Sequence, residues 1–150
     1  MLDKTFELRP LSAILIRSSS IVGKMNPYVN ARLGLRYWKT QLSKGQDRKP
    51  IWTDLWQTTL EDEKSLFIEV RSPGILGDFR VGSALIDLSD VFTFGAVIRE
   101  VPLNHNGSPA GKILLDMRIF ERSTEDILLQ HNINTSQSNL SHKVNINTFL

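Results

Sequence analysis

Asn26-Pro27-Tyr28-Val29-Asn30-Ala31-Arg32-Leu33-Gly34-Leu35-Arg36-Tyr37-Trp38-Lys39-Thr40-Gln41-Leu42 reads as two strands joined at Gly34. Side chains on a strand alternate between two faces. Val29, Ala31 and Leu33 therefore share one face, and Tyr28, Asn30 and Arg32 the other. In the second half Trp38, Thr40 and Leu42 oppose Tyr37, Lys39 and Gln41. Asn26-Pro27 opens the pair as a turn.

The same texture extends to both sides. Eight runs of β-branched, aromatic and aliphatic residues can be marked: 11–17, 28–34, 36–42, 54–60, 65–71, 79–86, 97–103 and 112–120. Turn clusters separate them, among them Glu61-Asp62-Glu63, Pro73-Gly74 and an Asn-Gly pair within 104–111. No helical stripe of comparable length competes. Many short strands of this kind predict an all-β domain, an eight-stranded antiparallel β-sandwich over residues 11–121. Residues 1–10 read as a short lead closed by Pro10. Residues 122–150 are a polar Asn/Ser-rich tail. Of the 28 residues from Ser123 onward, 16 are Ser, Thr, Asn, Gln or His, a composition expected to be disordered alone or ordered by a partner. Within it Ser123-Thr124-Glu125-Asp126 resembles a helix start, Val144-Asn145-Ile146-Asn147 alternates like a strand, and Thr148-Phe149-Leu150 resembles a PDZ-domain ligand.

Composition narrows the function. A chain of 150 residues suits one domain with a core of its own. It contains no cysteine, which removes disulfides, thiolate metal sites and cysteine nucleophiles. Its net charge of +2 is too mild to imply nucleic acid. No apolar run approaches a membrane span. Asp3, Lys4, Glu7 and Arg9 stand where a signal peptide needs apolar residues, so a cytoplasmic place is expected, peripheral to a membrane or a large assembly. Catalysis finds no motif: there is no His-Glu-x-x-His, phosphate loop, Gly-x-Ser-x-Gly or dinucleotide fingerprint. His105, His131 and His142 are scattered, and no cofactor is implied. Trp38, Trp52 and Trp56 read as packing residues. The sequon Asn106-Gly107-Ser108 carries little meaning without secretion.

A family resemblance then emerges. Ile14–Ile16 followed by Val22-Gly23-Lys24-Met25-Asn26-Pro27-Tyr28-Val29 is similar to the opening of a C2 domain, with its Asp-Pro-Tyr-Val element. Pro50-Ile51-Trp52-Thr53-Asp54 resembles the family's Asn-Pro-x-Trp-Asn-Glu, and Leu66-Phe67-Ile68-Glu69-Val70 its Leu-x-Ile-x-Val strand. Val81-Gly82 and Gly111-Lys112-Ile113-Leu114-Leu115 resemble the later Ile-Gly and Gly-x-Ile-x-Leu elements. The order of strands implies the family's second circular permutation.

The resemblance also implies a lost calcium site. The positions that supply carboxylates in calcium-binding members fall on Ser20, Asn26, Arg71, Pro73 and Phe79, with Asp78 one residue early. Ca²⁺ takes several oxygen ligands, anionic ones setting affinity, so a calcium-independent module is expected. Two features remain that could hold a ligand. From Lys24 to Lys49 there are seven Lys or Arg residues against Asp47 alone. The positions that match the family's basic sheet face are Asn30, Arg32, Tyr37 and Lys39; they form either an anionic-lipid or partner site, or a charged strand edge that resists aggregation. The loop Pro73-Gly74-Ile75-Leu76-Gly77 carries two aliphatic residues that either fold back, meet a protein, or enter a bilayer. The reading expected from these features is a non-catalytic docking module that binds a protein partner, with anionic phospholipid as a second ligand. The alternative is a peripheral module that targets anionic phospholipids or phosphoinositides without Ca²⁺.

Overall fold

The computed structural model describes residues 2–16, 23–123 and Asn132. The chain divides into two compact units: Thr5–Phe120, and Met1–Lys4 together with Glu121–Leu150. The first unit carries the sandwich. In the second the described residues are the outer ends of two strands and Asn132. The helix start, the strand-like stretch and the terminal motif expected in the tail, like Ser20, lie outside the described residues.

Eight strands and one short helix follow in the order β1 (Leu2–Leu15), β2 (Tyr28–Leu33), β3 (Arg36–Lys39), β4 (Trp56–Leu60), β5 (Ser65–Ser72), β6 (Phe79–Asp87), α1 (Ser89–Phe94), β7 (Ala96–His105) and β8 (Ser108–Ser123). They are hydrogen-bonded in the order β3-β2-β5-β6-β7-β8-β1-β4. β6 meets β7 in register only at Ser83 opposite Asn104, so the sheet parts there into two four-stranded layers. The core between them is filled from both: Val29, Ala31, Leu33, Ile68 and Val81 from one layer, and Phe6, Leu8, Ile113, Leu115 and Met117 from the other. The all-β antiparallel sandwich expected from the sequence is therefore the fold observed.

Two hairpins explain why the chain reverses where it does. Gly34 has φ 60°, a conformation open to glycine, and a Cβ there would lie 3.0 Å from a Glu63 carboxylate oxygen. Asn106 and Gly107 have φ 51° and 79°, the Asn-Gly pattern of a two-residue hairpin turn.

The first strand departs from expectation. It starts at Leu2, not Leu11, so the segment read as a lead is sheet. Phe6 and Leu8 are fully buried and anchor it. Glu7 disguises the pattern, because its carboxylate is almost buried yet contacts Arg9 at 3.4 Å and Gln57 at 3.5 Å. Inward positions run Phe6, Leu8 and then Ala13, Leu15, so the alternation changes phase in the neighbourhood of Pro10, which has no N–H to give a ladder. Helix α1 also went unanticipated. Six residues are too few to show a period, but Leu88 and Val91 are fully buried, and Asp87 accepts the Ser89 N–H at 2.8 Å.

Candidate functional site

The outer face of the β3-β2-β5-β6 layer gathers the residues named above. Asn30 stands opposite Lys39, and Arg32 opposite Tyr37. Directly opposed residues in an antiparallel pair point the same way. All four therefore share one face, and Arg32, Tyr37 and Lys39 are exposed on it.

The register carries this face onward across β5 and β6. One row runs Tyr37, Arg32, Phe67, Leu85. The next runs Lys39, Asn30, Glu69, Ser83. Tyr28 lies opposite Arg71, which lies opposite Arg80 beyond a shift in register at Val70/Arg71. The Arg32 guanidinium sits 5.3 Å and that of Arg80 5.8 Å from the centre of the Phe67 ring. The Lys39 ammonium lies 6.0 Å from the centre of Tyr28. Each such contact contributes about 0.5–1 kcal/mol at an exposed site and holds the cation in place over the ring. Glu69 accepts from Arg71 at 3.1 Å and from Arg80 at 2.8 Å. Arg32, Lys39, Arg71 and Arg80 outnumber Glu69 and Asp78, so the face is cationic with aromatic rings set into it.

Phe67, Arg80 and Leu85 were not singled out from the sequence. The signal was the strand alternation in 65–71 and 79–86. Using it requires knowing that β5 neighbours β2, which sequence separation hides.

At the end of this layer three loops are tied together. The Asn26 N–H donates to Ser72 Oγ at 3.0 Å, and its Oδ1 accepts the Gly45 N–H at 2.7 Å. Asp47 Oδ1 accepts the Met25 N–H at 3.1 Å. The Tyr28 hydroxyl donates to Asp78 Oδ2 at 2.5 Å. Burial raises the Tyr28 phenol above its ordinary range, and the bond to Asp78 adds to the rise. Arg71 donates to the Asp78 carbonyl at 3.2 Å. Among the described positions that match the family's calcium loops, Asn26, Arg71, Pro73, Asp78 and Phe79, Asp78 alone carries a carboxylate.

Beyond these ties the loop tip is open. Ile75 is 85% exposed and Leu76 fully exposed. They do not fold back onto the sandwich, one of the outcomes left open by the sequence.

Other candidates reduce to structure. Trp52 is buried and donates its indole N–H to the Pro27 carbonyl at 3.1 Å. Trp38 and Trp56 pack against the core. The carboxylates of Glu61, Asp62 and Glu63 lie within 4.8 Å of one another. Glu63 uses both oxygens already, on Arg36 and on the Glu61 N–H. The acidic turn is thus part of the local hydrogen bonding. His105 is half-buried beside Asn106 Nδ2 at 3.2 Å; His131 and His142 lie outside the described residues.

No family model matches the sequence, and no curated protein matches it. Solved structures do. A C2 domain-containing protein superposes with a TM-score of 0.70 at 21% identity, covering 81% of this chain and 92% of its own. A C2 domain of plant Extended Synaptotagmin 1 superposes with a TM-score of 0.68 at 16% identity, over 79% of this chain and 95% of that one. Human GIVD cytosolic phospholipase A2 matches with a TM-score of 0.68 at 16% identity, over 81% of this chain but 17% of that one. With its eight strands in this order, its two layers and these likenesses, the chain has the fold of a C2 domain.

Proposed function

We propose that this chain is a non-catalytic docking module of C2 type that attaches to an anionic membrane surface without a bridging Ca²⁺ and presents the outer face of β3-β2-β5-β6 to a protein partner. The observation that carries the membrane part is the loop tip. Two aliphatic side chains, Ile75 and Leu76, stand in solvent where each would gain about 1.5–3 kcal/mol in acyl chains. Basic residues near an anionic surface add about 1 kcal/mol each. After ordering costs that sum supports reversible association and not a permanent anchor.

The described loop residues do not suit a divalent ion. Asp78 is engaged by Tyr28, Asn26 Oδ1 by Gly45, and the Arg71 guanidinium adds a like charge to the same neighbourhood. Co-sedimentation with phosphatidylserine-containing vesicles tests the reading. Binding that ignores a chelator, needs anionic lipid and falls for Ile75→Ser/Leu76→Ser supports it. Absence of binding at low salt removes the membrane, and loss of binding on chelation removes the calcium-independence.

The protein partner is favoured by the Tyr37-Arg32-Phe67-Leu85 row. Tyrosine, arginine and other large side chains aligned across four strands have the make-up of an interface centre. Tyr37 is 66% and Leu85 72% exposed, so the row stands ready for a contact. Crosslinking in native material should then join Lys39 to one partner reproducibly, and crosslinks spread evenly over all surface lysines would refute it.

A further inference from the structure

The outer face of the other layer carries a second apolar and basic patch. Ser12 of β1 pairs with Ile51 in an antiparallel bridge. The Trp52 N–H to Leu11, the Ala13 N–H to Pro50 and the Leu15 N–H to Arg48 continue the same register. That register sets Ile14 opposite Lys49 and puts both on the face shared by Ser12 and Ile51. Ile16 follows two residues on. Ile14, Ile16 and Ile51 are 52%, 61% and 63% exposed, while Ala13 and Leu15 between them are buried. Lys49 on that face is exposed beside them, and Lys44 and Arg48 are exposed in the segment that leads up to it. An apolar cluster rimmed by polar residues marks a contact surface more often than isolated exposed side chains do.

We infer that this patch lies against the bilayer, so that the module docks tilted, on the loop tip and on the side of the β7-β8-β1-β4 layer together. The inference rests on the membrane reading above and adds its orientation. Two observations favour a bilayer over a protein segment here. The edge backbone is closed to strand addition, because the Lys49 N–H already donates to Gln46 and the Ile51 N–H to Ser43 Oγ. What is offered is aliphatic side chain without direction, beside cations, which suits acyl chains under anionic headgroups. Arg48, whose carbonyl accepts the Leu15 N–H, follows Asp47, which accepts the Met25 N–H, and Asn26 beside Met25 is tied to Ser72 and Gly45, so the patch adjoins the membrane-facing end. In this orientation the Tyr37-Arg32-Phe67-Leu85 row faces away from the lipid and stays free for a partner.

The cysteine-free chain allows a direct test. Ile16→Cys, Ile51→Cys, Leu76→Cys and Leu85→Cys are each labelled with a polarity-sensitive fluorophore and mixed with vesicles of phosphatidylcholine and phosphatidylserine. Labels at positions 16, 51 and 76 should shift to the blue and resist an aqueous quencher, and the label at 85 should not. Ile14→Ser/Ile51→Ser, with its fold checked by circular dichroism, should weaken vesicle binding about tenfold. A shift at 76 alone, with 16 and 51 left in water, overturns the tilted docking and leaves the membrane reading intact. A shift at 85 in place of 16 and 51 also overturns it. Vesicles that bind none of the variants nor the parent chain sink the membrane reading itself. Protection of 16 and 51 by a protein fraction but not by vesicles overturns the inference in favour of a protein interface.

Discussion

Trp38 and Trp56 stack face to face, their ring centres 5.7 Å apart and their planes 9° from parallel. Trp38 is on β3 and Trp56 on β4, the two ends of the strand order, so the stack closes the open side of the sandwich. Phe6 meets Trp56 edge-on at 6.3 Å and ties the stack to the core. The same side is braced by Arg36, which donates to the Thr59 carbonyl and to Glu63.

Replacing Trp56 should therefore cost more than its half-buried position suggests. Trp56→Ala loses the stack and the edge contact, and we expect a loss of about 2–4 kcal/mol in urea unfolding. Trp38→Ala should cost less, because it removes the stack but leaves Phe6 against Trp56. The double variant should fall short of the sum by about 0.5–1.5 kcal/mol, the coupling between the rings. Strict additivity would show that the stack contributes nothing beyond burial.

Acid should weaken the Arg36 brace. Burial pushes the Glu63 carboxyl up, but N–H bonds from its own backbone and from Glu61, with Arg36 beside it, outweigh that and hold it below the ordinary range. The unfolded chain then takes up the proton first as pH falls. The stabilisation is present above the unfolded value and is lost as pH drops through the lower folded one. Glu63→Gln should cost about 1–2 kcal/mol at neutral pH. The gap between variant and parent should close in acid, and a gap that stays constant with pH would assign the effect to shape and not to charge.

How much of this was legible beforehand can be traced residue by residue. The two faces of Tyr28–Leu33 were readable because one layer surface is buried and the other wet, which makes Val29, Ala31 and Leu33 alternate cleanly with Asn30 and Arg32. That Asn30, Arg32, Tyr37 and Lys39 belong to one face was legible from the alternation of two strands joined at Gly34, where register is local. The start of β1 was hidden because Glu7 is nearly buried among polar partners and Pro10 interrupts the pattern. The cation–ring contacts of Arg80 and Phe67 were hidden for another reason: β5 sits beside β2 through a connection of some thirty residues, and no local pattern encodes that choice. The exposure of Ile75 and Leu76 depends on how the loop closes, which residue type alone does not determine.

Alkaline pH should release the tie between Tyr28 and Asp78. Burial, and then the bond to Asp78, raise the Tyr28 phenol above its ordinary value. The folded chain thus holds the phenolic proton more tightly than the unfolded chain does. The resulting stabilisation is complete below the unfolded value and disappears as pH rises through the folded one. Absorbance titration should show the Tyr28 phenol ionising above the ordinary tyrosine range. Tyr28→Phe should lose about 1–2 kcal/mol at neutral pH, from the hydroxyl bond to a carboxylate. If Tyr28→Phe instead leaves stability unchanged but raises the mobility of residues 73–78, the tie serves the loop and not the fold.

Gly111 offers the sharpest single-site test of how β8 passes β1. Its φ is 133°, where other residues are strained, and a Cβ would lie 2.2 Å from the Ile14 carbonyl oxygen and 2.9 Å from the Leu15 Cα. Both neighbours are backbone, so neither can swing aside. Ile16 N–H also donates to the Ala110 carbonyl at 2.9 Å, fixing the two strands against each other at this point. Gly111→Ala should therefore destabilise by more than about 3 kcal/mol or prevent soluble expression, whereas Gly45→Ala, where no atom lies within 4 Å but φ is 69°, should cost only about 1 kcal/mol. Because Ile14 and Ile16 border this contact, a Gly111→Ala chain that still folds should also lose vesicle binding. Equal, mild effects at the two glycines would mean that β8 and β1 are not in this close register.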